Sequence, residues 1–212
     1  MKPDYWDDAI RTLRERDPVL ARIIASHPAD IHLTRRGDPF TTLARAIVGQ
    51  QLSVKAAQTI WDRFVAKTGD AKATPPLDPA RVAKARLPAL RSVGLSERKA
   101  LYLRDLARHF VAGRLDPKVW PAQDDETLIA SLVDVKGIGR WTAEMFLIFH
   151  ELRADVFPVD DIGLQKAIAL HYFNRRRPSA ARMQKLGKTW RPYRSVATWY
   201  LWRSMDPLPV DY

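Results

Sequence analysis

Cysteine is absent from all 212 residues. That excludes disulfides, thiolate metal sites and Cys-ligated iron–sulfur clusters. The five histidines, His27, His32, His109, His150 and His171, are scattered without metal-ligand spacing and read as surface or core residues. No window reaches the ~20 apolar residues of a spanning helix, so no membrane role is expected. Met1-Lys2-Pro3-Asp4-Tyr5-Trp6 lacks the apolar run of a signal peptide, which makes the cytosol the expected compartment. Strand signals are few: Ile31-His32-Leu33-Thr34 alternates only weakly, and 155–159 is too short to build a sheet.

What the chain has in excess is positive charge, 35 basic against 24 acidic residues, for a net +11. That balance favours a polyanionic partner, of which nucleic acid is the commonest, over a plain basic soluble protein. A hydrophobic content of 46% is that of a globular core. Helical punctuation dominates the rest. Asp-Pro pairs occur at 17–18, 38–39, 78–79, 116–117 and 206–207, and several should open helices, with Asp as cap and Pro in the first turn. Ser53 should cap 53–66, where Ala57, Ile60, Trp61, Phe64 and Val65 follow the helical period. Ser96 should cap 96–112, with Leu103, Leu106, Ala107, Phe110 and Val111 buried. Asp124 should cap 125–134. Segment 140–151 is apolar nearly all round and belongs inside. Helices at 161–173, 179–188 and 191–205 complete an all-α fold. The linkers 68–78 and 113–123 are too short to separate independent domains. Arg175-Arg176-Arg177-Pro178 reads as a solvated basic turn.

The chemistry is concentrated in Val133-Asp134-Val135-Lys136-Gly137-Ile138-Gly139-Arg140-Trp141-Thr142-Ala143, followed by Phe157-Pro158-Val159-Asp160-Asp161. The first stretch is a helix end, a Gly-x-Gly turn and a second helix. Paired glycines let backbone N–H groups approach a phosphate without an intervening side chain, and Lys136 and Arg140 add attraction. A purely structural helical hairpin is the alternative. The second stretch sets a carboxylate at the start of a helix, where Asp161 also reads as an ordinary cap. Asp160 is the competing acid.

These blocks resemble the helix–hairpin–helix DNA glycosylases, specifically the 3-methyladenine DNA glycosylase II branch. The likeness is carried by Ile47-Val48-Gly49-Gln50-Gln51-Leu52-Ser53, by Val93-Gly94-Leu95-Ser96-Glu97-Arg98-Lys99-Ala100, by Val133–Ala143, by Asp155–Asp161, and by Trp190-Arg191-Pro192-Tyr193-Arg194-Ser195 with Trp202 beyond it. The resemblance implies one domain over 1–212 of two helical lobes, about 40–155 and about 1–39 with 156–212. The helix–hairpin–helix lies at about 125–150, and the motif and the acid sit at the mouth of a cleft. It implies the compact form, without an N-terminal β-domain.

The same resemblance implies site roles. Asp161 is the catalytic carboxylate. It would stabilise an oxocarbenium-like sugar while water cleaves the N-glycosidic bond of an alkylated purine such as 3-methyladenine or 7-methylguanine. Trp141 stands where strand-cutting relatives carry lysine, which implies a monofunctional glycosylase without β-lyase activity. Trp141, Trp202, Met145 and Gln50 line the base pocket, whose aromatic rings would attract a cationic base. Met145 departs from an aromatic found in some relatives. Gln51 or Leu52 is the wedge that fills the gap left by a flipped nucleotide. Gly137, Gly139, Lys136, Arg140 and Lys99 meet the DNA backbone, and Arg194 matches without an assigned contact. No cofactor is required; a structural Na+ or K+ would sit on the backbone C=O of Val133, Val135 and Ile138. The partner is double-stranded DNA bearing alkylated bases, engaged by a monomer. A non-catalytic DNA-binding module is the alternative function. A glycosylase for oxidised or mismatched bases is disfavoured by the missing cysteines and by Trp141.

Overall fold

The computed structural model describes residues 2–35, 37–70 and 72–205. In chain order these form α1 (Trp6–Arg16), α2 (Pro18–Ala25), α3 (Pro39–Gly49), α4 (Val54–Thr68), α5 (Pro79–Lys84), α6 (Leu87–Arg91), α7 (Glu97–Val111), α8 (Asp125–Val133), α9 (Arg140–Phe149), α10 (Ile162–Tyr172), α11 (Ala180–Thr189) and α12 (Arg194–Met205). One 3-10 turn spans Trp120–Ala122, and no strand occurs among the described residues. The fold is all-α.

Capping explains where most helices begin. Asp17, Asp38 and Asp78 accept first-turn N–H groups of α2, α3 and α5, each with proline at its first position. Ser53, Ser96, Asp124, Asp161 and Ser179 do the same for α4, α7, α8, α10 and α11. Asp116-Pro117 instead makes a turn, in which Asp116 accepts the Lys118 N–H. Asp206-Pro207 lies outside the described residues. Along α7 the buried stripe differs at one end from the periodic expectation. Val111 is 58% exposed, whereas Ala100 and His109 are buried. His109 takes the inner position, where its ring lies between polar atoms of Asp105 and Asp134.

The chain divides into two compact units. One is Arg36–Phe146, the other Met1–Arg35 with Leu147–Tyr212. In the first, Phe40, Phe110, Trp120 and Phe146 form an edge-to-face series with centroids 5.3, 6.2 and 5.6 Å apart. In the second, buried Asp17 accepts hydrogen bonds from Tyr172 Oη (2.9 Å) and Trp190 Nε1 (2.8 Å), tying α2 to α10 and to the end of α11. Both donors satisfy a carboxylate that burial alone would make costly. Residues 147–155 belong to this second unit, so the division falls inside α9 and not near residue 155. The reason lies in their hydrogen bonds: Tyr5 Oη donates to Leu152 O (2.6 Å), Arg35 Nε to His150 O (2.8 Å), and Arg194 Nε to Asp155 Oδ1 (2.7 Å).

Candidate active site

The hairpin joins α8 to α9 through residues 134–139. Its turn closes with the Ile138 N–H donating to Val135 O (3.1 Å), and Gly139 O accepts from Ala143 N to start α9 (3.0 Å). The two glycines differ in kind. Gly137 has φ +88°, and a Cβ there would stand 2.5 and 2.6 Å from Tyr102 Cγ and Cε2. Only glycine fits both the left-handed backbone and the close approach of α7. Gly139 is exposed, and a Cβ there meets nothing within 4 Å. The N–H groups of Gly137 and Gly139 meet no protein acceptor among the described residues.

Residues of α7 brace the turn from behind. Asp105 Oδ2 accepts the Lys136 N–H (2.9 Å). His109 spans Asp105 O (2.9 Å, Nδ1) and Asp134 Oδ2 (3.0 Å, Nε2), and that bond holds the Asp134 carboxyl below the usual carboxylate range. Gln50 Nε2 donates to Gly137 O (2.8 Å) from the end of α3. Gln50, expected in the base pocket, thus anchors the hairpin.

Two expected phosphate contacts are otherwise engaged. Lys99 Nζ donates to Val48 O (2.8 Å) and Gln50 O (2.7 Å), satisfying carbonyls at the C-terminal end of α3; desolvation pulls its pKa down. Arg140 forks onto Glu126 (2.6 and 2.9 Å) and also reaches Glu144 (3.0 Å), which holds Glu126 below the usual range. Its charge is therefore answered by carboxylates. Lys136 is exposed and makes no ion pair among the described residues. In the turn after α3, Gln51 has φ +58°, and Leu52 is 39% exposed. Trp141 is 41% exposed and Met145 6%, on one side of α9 by their four-residue spacing.

The acid lies in the second unit. Asp161 Oδ1 accepts from the Leu164 N–H (2.6 Å), capping α10, and from Trp202 Nε1–H (2.8 Å) on α12. The Trp202 ring stacks on Phe149 at 5.7 Å and 15°. Gly163 makes room for the pair: a Cβ there would come to 3.1 Å from Asp161 Oδ1 and 3.3 Å from Trp202 Cδ1. Asp161 is half-buried, whereas Asp160 is exposed. Geometry thus separates two acids that the sequence leaves adjacent. One is fixed by a backbone donor and an indole; the other projects to solvent. Arg194, left without a contact by the sequence, forms a two-pronged pair with Asp155 (2.7 and 2.8 Å) and joins α12 to the segment leading to the acid. Phe149, Tyr102, Asp105 and His109 escape motif reading altogether. Only the polar positions 105 and 109 beside the α7 stripe hint at a buried role.

Among the described residues no group of three or more His, Asp or Glu is placed to hold a metal ion, and no helix is long and apolar enough to cross a membrane.

Residues 44–192 match the HhH-GPD superfamily base excision DNA repair protein family. A Bacillus subtilis protein named putative DNA-3-methyladenine glycosylase YfjP is 35% identical over 79% of this chain, which spans 59% of that relative's length. A crystal structure of a DNA-3-methyladenine glycosidase from Bacillus halodurans superposes with a TM-score of 0.83 at 35% identity, over 93% of this chain and 89% of that one. A Schizosaccharomyces pombe 3-methyladenine DNA glycosylase, solved in complex with abasic DNA, superposes with a TM-score of 0.76 at 28% identity, over 97% and 98%. With a match that covers most of its length and includes both the Gly-x-Gly hairpin and Asp161, the chain belongs to the HhH-GPD superfamily of base excision DNA repair proteins.

Proposed function

We propose that this protein is a monofunctional DNA glycosylase that removes alkylated purines, 3-methyladenine and 7-methylguanine among them, by hydrolysing the N-glycosidic bond. The observation that carries the reading is the fixed carboxylate of Asp161, held by Leu164 N–H and Trp202 Nε1–H on one oxygen. As the bond to the base breaks, the sugar gains oxocarbenium character. A pre-oriented anion stabilises that charge without reorganising during the reaction. Alkylation makes the base cationic and a better leaving group, so one acid and a water suffice. The water oxygen bonds to the sugar carbon, the electrons of the broken bond leave with the base, which departs neutral, and the proton lost by the water passes by way of the Asp161 carboxylate to solvent.

The hairpin supplies the grip. The open Gly137 and Gly139 N–H groups and Lys136 serve one strand's phosphates, with Arg140 and Lys99 shaping the turns beside them. Gln51 or Leu52 enters the helix where the nucleotide has left; Leu52, apolar and exposed, suits the gap. Trp202, bonded to Asp161, supplies an aromatic surface for the extruded base. One side of the Trp202 ring stacks on Phe149. Tryptophan at 141 provides no amine to attack the sugar, which supports hydrolysis without strand cleavage. A monovalent cation held by the carbonyls of Val133, Val135 and Ile138 would order the turn. The reading requires only a monomer acting in the cytosol on the chromosome.

The test is a panel of duplexes bearing single lesions, scored for free base and, separately, for strand nicking. The expected result is release of methylated purines, leaving intact abasic strands. Nicking through a covalent, borohydride-trapped intermediate would overturn the monofunctional assignment. Absence of base release from every lesion, with duplex binding retained, would favour a non-catalytic binding module.

A further inference from the structure

The surplus charge of this chain is confined. Residues 162–205 hold ten lysines and arginines and no aspartate or glutamate, against +11 for the whole chain. Arg191 and Arg194 are answered by Asp155 (3.7 and 2.7 Å). Arg175, Arg176, Arg177, Arg182, Lys185 and Lys188 are exposed, and none makes an ion pair among the described residues.

Local structure keeps these six pointing outward. α10 ends in two successive left-handed residues, Asn174 (φ +48°) and Arg175 (φ +64°), with the Arg175 N–H donating to Ala169 O (2.8 Å). A side chain is strained in that region, so the turn holds an arginine where glycine would sit freely. α11 then buries Met183 and Gly187, while Arg182, Lys185 and Lys188 follow at three-residue spacing along its outer side. The same elements lean on the segment that carries Asp161. A Cβ on Gly187 would lie 2.7 Å from the Phe157 ring. Arg177 Nε donates to Gln165 Oε1 (3.1 Å), and Gln165 Nε2 donates to Val159 O (2.9 Å), two residues before the acid.

We propose that the 174–177 turn and the outer side of α11 form a second contact for the duplex DNA backbone, on the unit that bears Asp161 and apart from the hairpin. It rests on the reading of this protein as a DNA glycosylase. Exposed cations without carboxylate partners, spaced along a turn and a helix, suit regularly spaced phosphates and carry no base readout. Phosphates held there fix the strand against the loop of Asp161, through Gln165.

The test is salt-dependent binding of a duplex to the full chain, comparing R175A/R176A and R182A/K185A with a charge-matched pair on α4, R63A/K67A. All six positions are exposed or half-exposed, and thermal melting checks that each variant folds as the wild type does. Each lost phosphate contact should lower the slope of log K against log salt by about 0.9. The first two variants should each lose about one to two in slope and roughly tenfold in affinity at ~0.1 M salt, while the α4 pair keeps the wild-type slope. Equal slopes in all three variants would overturn the proposal. Wild-type protein that binds with these slopes yet releases no base would leave this surface standing and remove the glycosylase reading instead.

Discussion

Two glycines separated by one residue should respond in opposite ways to the same methyl group. In Gly137→Ala the new Cβ falls into the Tyr102 ring on a backbone at φ +88°. The left-handed conformation costs a side chain about 1–2 kcal/mol. Overpacking against a braced ring adds about 1–3 kcal/mol. The sum, roughly 2–5 kcal/mol, should lower Tm by about 5–15 °C for a chain of this size. In Gly139→Ala the methyl enters open space, so stability should stay within about 0.5 kcal/mol of wild type. What it obstructs is a ligand. A backbone N–H to a charged oxygen contributes about 1.5–3 kcal/mol, so duplex affinity should fall about 10- to 100-fold. Thermal melting and fluorescence anisotropy on a labelled duplex read the two effects separately. Wild-type affinity in Gly139→Ala would refute the phosphate role of the turn. Wild-type melting in Gly137→Ala would refute the packing explanation of its glycine.

Other substitutions separate chemistry from stability. Gly163→Ala removes a helix glycine, worth about 0.5–1 kcal/mol in favour of folding, yet presses a methyl to 3.1 Å from Asp161 Oδ1. Base release should fall while Tm holds or rises; unchanged release would show that the Asp161–Trp202 bond tolerates displacement. Lys99→Met deletes two charge-assisted bonds to Val48 O and Gln50 O and should destabilise by about 2–4 kcal/mol in chemical denaturation, a loss that an exposed phosphate-seeking lysine would not produce. Burial raises the Glu151 carboxyl against the opposing pull of Arg35 and Arg153. Its contribution to folding is therefore present in acid and lost as pH rises through the raised value. The Tm of Glu151→Gln relative to wild type should accordingly climb as pH rises above the usual carboxylate range, and a flat difference would contradict the burial effect.

Much of this protein is written locally. Asp17, Asp38 and Asp78 announce helix starts because a cap and a first-turn proline act within four residues. The Gly-x-Gly turn and the cap role of Asp161 are visible for the same reason. What stays hidden is pairing across sequence distance. Arg140 looks like a free cation beside the hairpin until Glu126, fourteen residues earlier, folds onto it. Lys99 looks available to phosphate until the end of α3 comes within its reach. The family likeness groups residues 147–155 with 40–146, but their hydrogen bonds run to Tyr5, Arg35 and Arg194. Periodicity also misplaces Val111, because His109 turns inward to polar partners on Asp105 and Asp134. The indole that steadies Asp161 lies forty-one residues away and carries no signal of that bond in the sequence.

The most direct measurement is single-turnover release of methylated purine by Asp161→Asn beside Asp160→Asn, with duplex affinity measured on the same preparations. Asparagine keeps the size of the side chain and removes the anion. Asp161→Asn should bind duplex as the wild type does and lose about 10²-fold or more in base release, while Asp160→Asn retains it. Near wild-type release by Asp161→Asn, or its loss in Asp160→Asn alone, would contradict the assignment of the reacting carboxylate.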